Sequence, residues 1–300
     1  MMDNVLDLAI IGAGPGGVTA AIYAKRAGLN FKIFEKSCVG GNVVNAFEIE
    51  NYPGVGKIVG SDLAMNFMNE LMDFDIEVEY EEITNVSKNG EIFEVKGEYS
   101  SYFAKKVLVA VGTKARNLNV ANEEKYYGRG VSFCATCDGA FYKNKDVLVV
   151  GGGNSALTEA MYLANIVNKV YLITRHELKG DKKEIDKIKK FNNVEIIEFK
   201  QIKELIGDKS IQEVILKDTN SEEVSTLKVD GIFVYVGQVP PTSFVKELNV
   251  LNPRGFIEVD KRFETSVKGL FAIGDCIDKE CRQIASAVGD AATALHFIED

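Results

Sequence analysis

The sequence reads as an α/β protein made of two Rossmann-like modules of the three-layer ββα type, and three observations predict it. A strand, a glycine-rich turn, a helix and a second strand follow one another near the start. The same order returns from Val147. Two further apolar strands each run into a glycine where the chain would pass between modules.

Leu6 to Ile11 is a short apolar run stopped by Gly12, as expected of a buried parallel strand. Thr19 to Ala27 has helical composition and is closed by Gly28. Phe31 to Phe34 is the returning strand, which completes one βαβ unit. Val147 to Val150, the glycines Gly151 to Gly153, a helix from Ser155 to Ile166 and the strand Val170 to Ile173 repeat that order. Val107 to Val111 before Gly112, and Ile232 to Val236 before Gly237, read as the chain's exits from one module into the other. Glu91–Lys96 and Ser210–Lys217 alternate enough to be antiparallel add-on strands.

Composition narrows the function. The 300 residues are 46% hydrophobic and 26% charged, ordinary for a globular protein. Thirty-five basic residues against 44 acidic ones give a net charge of −9, which argues against nucleic acid because phosphate binding needs a basic face. With only His176 and His296, a His-rich metal site is excluded and proton transfer falls to carboxylates. Leu8 to Ala24 is uncharged, but the glycines and Pro15 within it, and Asp3 and Asp7 before it, suit neither a membrane span nor a signal core. Five cysteines in a long chain are not a secreted disulfide framework, and a cytoplasmic location is expected.

Gly12-Ala-Gly14-Pro15-Gly-Gly17 fits G-x-G-x-x-G between a strand and a helix. The first glycine makes the turn, the second admits a pyrophosphate, the third lets helix and strand pack, and the helix N-terminus attracts the anion. Glu35, about 20 residues further on, ends the second strand where a carboxylate accepts from a ribose hydroxyl. Gly151-Gly-Gly153-Asn154-Ser-Ala156 is the looser form, and its second strand ends at Thr174-Arg175-His176 without an acid. An arginine in place of the acid favours NADPH over NADH, unless this module keeps its fold and has lost its ligand.

Cys134-Ala-Thr-Cys137 precedes Asp138. Zinc would need Cys276 and Cys281 as a loose second knuckle. Beside two nucleotide modules the pair reads better as a dithiol–disulfide couple, with one thiol pKa drawn down towards ~7 and Asp138 placed to move its proton. An inert buried pair is the third reading.

At these residues the chain resembles the low-molecular-weight thioredoxin reductases over nearly its whole length. The matching stretches are Gly12–Gly17, Gly40-Gly41, Glu50–Gly54, Cys134–Asp138, Gly151–Ala156, Gly237 to Pro240, Gly269–Asp275 and Arg282-Gln283. The resemblance implies FAD in a first domain split into residues 1–113 and 241–300, with the second, residues 114–240, inserted and carrying the disulfide. By similarity FAD is held by Gly12, Gly14, Pro15, Gly17, Glu35, Lys36, Gly40, Gly41, Asn42, Asn51, Gly274, Asp275, Arg282, Gln283 and Ile284. It further implies that Cys137 faces the flavin, that Cys134 forms the mixed disulfide with thioredoxin, and that Asp138 is the acid/base. The inserted domain would rotate between the two tasks, and members are usually homodimers. NADPH would meet Gly151, Gly153, Asn154, Ala156, Arg175 and His176.

The chain departs from the family at the donor end. Family members that use NADPH carry three arginines after this strand, and here only Arg175 remains, with His176 where a second would stand. Each hydrogen bond to a charged group contributes ~1.5–3 kcal/mol, so two lost arginines remove about 3–6 kcal/mol, roughly two to four decades of affinity. Lys179, Lys182 or Lys183 recover part of this only as point charges. The lysines between Lys179 and Lys190 read as a solvated helix with Ile185 and Ile188 turned inward, or as a docking face for an acidic carrier. One branch of the family takes electrons from ferredoxin and shows this same erosion. The acidic net charge and the intact glycines weigh against it. Asn42 stands where the family commonly has Gln.

Overall fold

A computed structural model describes residues 5–46, 49 and 51–299, without the side chains of Asn45, Thr136 and Cys137. The chain divides into two compact units, Met1–Lys114 with Val239–Asp300, and Ala115–Gln238.

The first unit is built on a sheet in the order Val78–Tyr80, Phe31–Glu35, Val5–Ile11, Ser101–Val109. These four strands are parallel. Ser101–Val109 then serves two neighbours. Its end pairs in parallel with Leu270–Ala272, and its beginning pairs antiparallel with Ile92–Gly97, which pairs in turn with Ile83–Asn89. Along Val5–Ile11, Leu8 and Ile10 pack with Val18, Leu63, Phe67, Leu71 and Leu295 of the helices Pro15–Arg26, Gly60–Asp73 and Ile284–Ile298. Ala9 and Ile11 face the other way, against Phe93, Val95, Phe244 and Ile257. Burial on both faces is why this strand is a continuous apolar run rather than an alternating one.

The second unit repeats the plan. Its parallel sheet runs Val194–Glu198, Lys169–Thr174, Asp146–Val150, Gly231–Val234, Val131–Ser132. Val147 and Val149 pack against Leu157, Leu163 and Ile188 from the helices Asn154–Ala164 and Lys182–Ile188. Leu148 and Val150 pack against Ile202, Val214 and Leu216 of a three-stranded antiparallel sheet, Lys200–Gly207, Ile211–Asp218 and Val224–Lys228. The α/β class with two Rossmann-like domains, one inserted in the other, is therefore the observed fold. Helix starts are corrected by a turn or less: the first begins at Pro15 rather than Thr19, since proline suits the first helical position. The lysines of the Lys182–Ile188 region are exposed, Ile188 is buried and Ile185 is partly so.

Candidate functional site

The first glycine turn is held by its neighbours on every side but one. Gly12 has a φ of 104°, and a Cβ there would lie 2.5 Å from the Ala110 carbonyl oxygen. At Gly17 a Cβ would stand 1.8 Å from the Gly12 oxygen, so helix and turn meet at a distance only glycine allows. At Gly14 nothing lies within 4 Å, and that open side faces a cavity of about 600 Å³. Tight where protein packs and open where a ligand would approach is the arrangement a pyrophosphate requires.

Glu35 is only 8% exposed. Its Oε2 accepts the Ala13 N–H at 2.9 Å and its Oε1 accepts the Ser37 N–H at 2.9 Å. The carboxylate thus fastens the turn to the strand end, and its remaining lone pairs face the cavity that it lines. Gly12, Gly14, Pro15, Lys36, Gly41, Asn42, Gly274, Asp275, Arg282, Gln283 and Ile284 line the same cavity. Gly17, Gly40 and Asn51 do not. Gly17 closes the helix contact, and a Cβ on Gly40 would sit 2.6 Å from the Ala64 Cβ. Asn51 donates to Gln283 Oε1 at 3.0 Å and so steadies a lining residue. Glu50 lies outside the described residues.

The far wall comes from the end of the chain. Burial raises the Asp275 carboxyl, while Lys279 and Arg282 oppose the shift. The Arg282 guanidinium lies 4.6 Å from the Phe256 ring centroid, a cation–π contact that holds it at the cavity it lines. Gln283 caps the helix Ile284–Ile298 through a reciprocal pair with Ser286. Asn42 donates to the Thr113 oxygen at 2.9 Å, tying two cavity walls together. Sequence reasoning missed Glu81, Glu82 and Lys114, which also line the cavity. Lys36 pairs with Glu82 at 3.3 Å. Burial works against the Lys36 ammonium, yet its hydrogen bonds to Lys114 and Glu82 leave its pKa raised; Lys114 is pushed down, first by that bond to Lys36. No local motif marks these three: Glu81 and Glu82 sit together in the loop between Val78–Tyr80 and Ile83–Asn89, and Lys114 joins them from a distant part of the chain.

In the second unit Cys134 is disulfide-bonded, whereas Cys38, Cys276 and Cys281 are free. The Cys137 side chain lies outside the described residues. Ser132 Oγ accepts the Cys134 N–H at 3.1 Å and donates to Asp138 Oδ2 at 2.6 Å, so one hydroxyl joins the cysteine backbone to the acid. The Ala135 N–H donates to the Tyr235 hydroxyl at 2.7 Å. Cys276 is different in kind: it is buried in the first unit, contacts the Ile273 oxygen at 3.1 Å, and burial pushes its thiol up to about 12. It stays protonated and inert. Among the described residues no group of three or more His, Cys, Asp or Glu could hold a metal ion.

The second glycine turn makes the same main-chain bonds as the first but is shaped to admit the Cβ of Ala156. Gly151 has a φ of 145°, and a Cβ there would lie 2.3 Å from the Tyr235 oxygen. Gly153 is open, with nothing within 4 Å of its missing Cβ. Asn154 begins the helix and Ala156 is buried behind it. Arg175 and His176 are both exposed beyond the strand end. The loop after them folds back: Lys179 N–H donates to the Gly152 oxygen at 2.7 Å, and Asn154 exchanges hydrogen bonds with Asp181 at 3.0 and 2.7 Å. Asp181 is the N-cap of Lys182–Ile188 but makes no capping bond with its side chain, which is turned to Asn154 instead. This carboxylate beside the second glycine turn was not anticipated.

Comparison with known proteins agrees with this arrangement. Residues 6–291 match the family model described as pyridine nucleotide-disulphide oxidoreductase. A thioredoxin reductase of Mycoplasma pneumoniae is 40% identical over 99% of this chain and 95% of its own. The crystal structure of Lactococcus lactis thioredoxin reductase superposes with a TM-score of 0.88 at 36% identity, covering 98% of this chain and 97% of that one. A ferredoxin-flavin thioredoxin reductase from Clostridium acetobutylicum matches at a TM-score of 0.55 and 32% identity, over 99% and 97% of the two chains. Full-length likeness at this level reaches the whole two-unit architecture, and the chain belongs to the low-molecular-weight thioredoxin reductases.

Proposed function

We propose that this thioredoxin reductase binds FAD in the first unit and works through a Cys134–Cys137 couple, with Asp138 as the acid/base. The observation that carries the reading is the Ser132 hydroxyl, which ties the Cys134 backbone to the Asp138 carboxylate. FAD, when bound, supplies the two-electron carrier. Gly14 and the helix N-terminus would take its pyrophosphate, Glu35 its ribose, and Asp275 and Gln283 the groups beyond. Two electrons and two protons open the disulfide to two thiols. The Cys134 thiolate attacks one sulfur of oxidised thioredoxin, whose other sulfur leaves as a thiol after gaining a proton. Cys137 then displaces the bound sulfur, which restores the disulfide and frees reduced thioredoxin. Asp138 takes up and returns the proton. The reading places the enzyme in the cytoplasm as a homodimer; no described helix is long and apolar enough to cross a membrane.

Two donor readings each rest on an observation. The retained turn Gly151–Ala156, open at Gly153, supports NADPH. The lone Arg175 and the Asp181 carboxylate at Asn154 support reduced ferredoxin, because a carboxylate there repels a nucleotide phosphate. Anaerobic titration of the flavin with NADPH, NADH or reduced ferredoxin separates them: rapid bleaching by micromolar NADPH sinks the ferredoxin reading. Cys134→Ser should keep flavin reduction and lose thioredoxin turnover, and unchanged turnover would overturn the thiol roles.

A further inference from the structure

We propose that Tyr235 is a positioning residue for the dithiol: its hydroxyl occupies the Ala135 N–H at the start of the Cys134–Asp138 segment and so withholds a backbone donor from the reactive thiolate. The proposal rests on the reading of Cys134–Cys137 as the redox couple.

A thiol at the start of a helical turn is ordinarily made more acidic by the free N–H groups around it. Here two of those donors are already taken by hydroxyl oxygens. The Cys134 N–H goes to Ser132 Oγ at 3.1 Å and the Ala135 N–H to Tyr235 Oη at 2.7 Å. Ser132 lies on the edge strand that leads into the cysteine, so its bond is local. Tyr235 follows the strand Gly231–Val234, which pairs with Val131–Ser132, and reaches the segment from that neighbouring strand, a hundred residues away in sequence. A half-buried aromatic side chain is thus committed to one amide.

The surroundings keep the hydroxyl in the state the role needs. Burial pushes the Tyr235 phenol up, and the charges of Glu159 and Asp138 push it further, so the oxygen stays neutral. Glu159 comes from the helix Asn154–Ala164, where its Oε2 is buried and has no hydrogen-bond partner, and burial raises its carboxyl as well. Tyr142, nearby, is raised by burial and then by Asp138 and Asp230. With both amides taken, the Cys134 thiolate has fewer open backbone donors around it. A thiolate less favoured in this way belongs to a more reducing couple, since stabilising the reduced form makes a dithiol a stronger oxidant.

The test uses Tyr235→Phe in the FAD-loaded enzyme, which removes one oxygen and keeps the ring. Alkylation of Cys134 in the reduced enzyme is followed against pH by peptide-resolved mass spectrometry, and the couple is equilibrated with glutathione. The pH midpoint is expected to fall by about one unit. The equilibrium constant for reducing glutathione disulfide is expected to fall about tenfold, or about 30 mV. A variant that keeps its flavin and matches the wild type in both quantities, or whose midpoint rises, overturns the inference. Amide exchange in the wild type gives an independent reading: Ala135 should be protected, and rapid exchange there also overturns it. Failure of the redox reading itself shows separately, as unchanged turnover in Cys134→Ser.

Discussion

In the first glycine turn the Gly12 N–H bonds the Phe34 oxygen at 2.7 Å, and in the second the Gly151 N–H bonds that of Ile173 at 2.9 Å. The loops beyond close in the same way, Gly40 N–H on the Ala13 oxygen at 2.8 Å and Lys179 N–H on the Gly152 oxygen at 2.7 Å. By register, Ile11 pairs with Phe34 and Val150 with Ile173, so Glu35 and Thr174 occupy one position in the two units. Matching main-chain bonds thus carry two sets of side chains. In the first, a buried carboxylate fastens the turn and faces a cavity; in the second, a threonine ends the strand and a carboxylate, Asp181, stands at the helix start. The lesson is that a dinucleotide fold persists through its main-chain bonds, while its ligand is chosen by a few residues that those bonds do not constrain.

The sharpest break between the units is the third turn position, glycine at 17 and alanine at 156. Gly17→Ala should abolish flavin binding and soluble expression, because its Cβ meets the Gly12 oxygen at 1.8 Å; a yellow, folded variant would show the two turns to be interchangeable. Next in size, Glu35→Ala leaves the Ala13 N–H buried without its acceptor, at about 1–3 kcal/mol. FAD affinity, read by flavin release on dilution, should fall at least tenfold, whereas Thr174→Ala should leave it unchanged. At the donor end, His176→Arg restores one guanidinium on an exposed position and should tighten NADPH about ten- to a hundredfold. Equilibrium dialysis checks this, and no gain would mean that Asp181 alone closes the site.

The smallest effect is a pH dependence confined to the second unit. Burial raises the Glu159 carboxyl above its unfolded value. A carboxyl raised in this way favours folding while protonated, and stability is lost as pH rises from the unfolded pKa to the folded one. Glu159→Gln should therefore raise the melting temperature at pH 8 more than at pH 4. Equal gains at both would assign the effect to the orphan oxygen rather than to charge.

Much of this was legible in the sequence because glycine turns and apolar strands are local patterns. The strands ending at Ile11, Val150 and Val234, the antiparallel strands around Phe93 and Val214, and the cysteine segment all announce themselves within a few residues. The helix Gly60–Asp73 went unread, although Leu63, Phe67 and Leu71 recur at helical spacing, because no cap bond or basic last turn frames it. Ile284–Ile298 went unread because no strand and glycine turn lead directly into it, as they do into the helices Pro15–Arg26 and Asn154–Ala164. In the site, Glu82 with Lys36, Asp181 with Asn154 and Tyr235 with Ala135 are pairings of distant residues, and only the folded sheets bring them together.

The fifth parallel strand reaches its place from opposite chain directions in the two units: Val131–Ser132 precedes its sheet, whereas Leu270–Ala272 follows the whole insertion. Every strand of the second unit therefore lies in one contiguous stretch, complete when the ribosome has passed Gln238. The first unit must wait, with Val107–Val109 exposed along one edge, until the last thirty-odd residues emerge. A chain truncated after the insertion would thus contain a finished second unit attached to an unfinished sheet, open at the edge where strands aggregate.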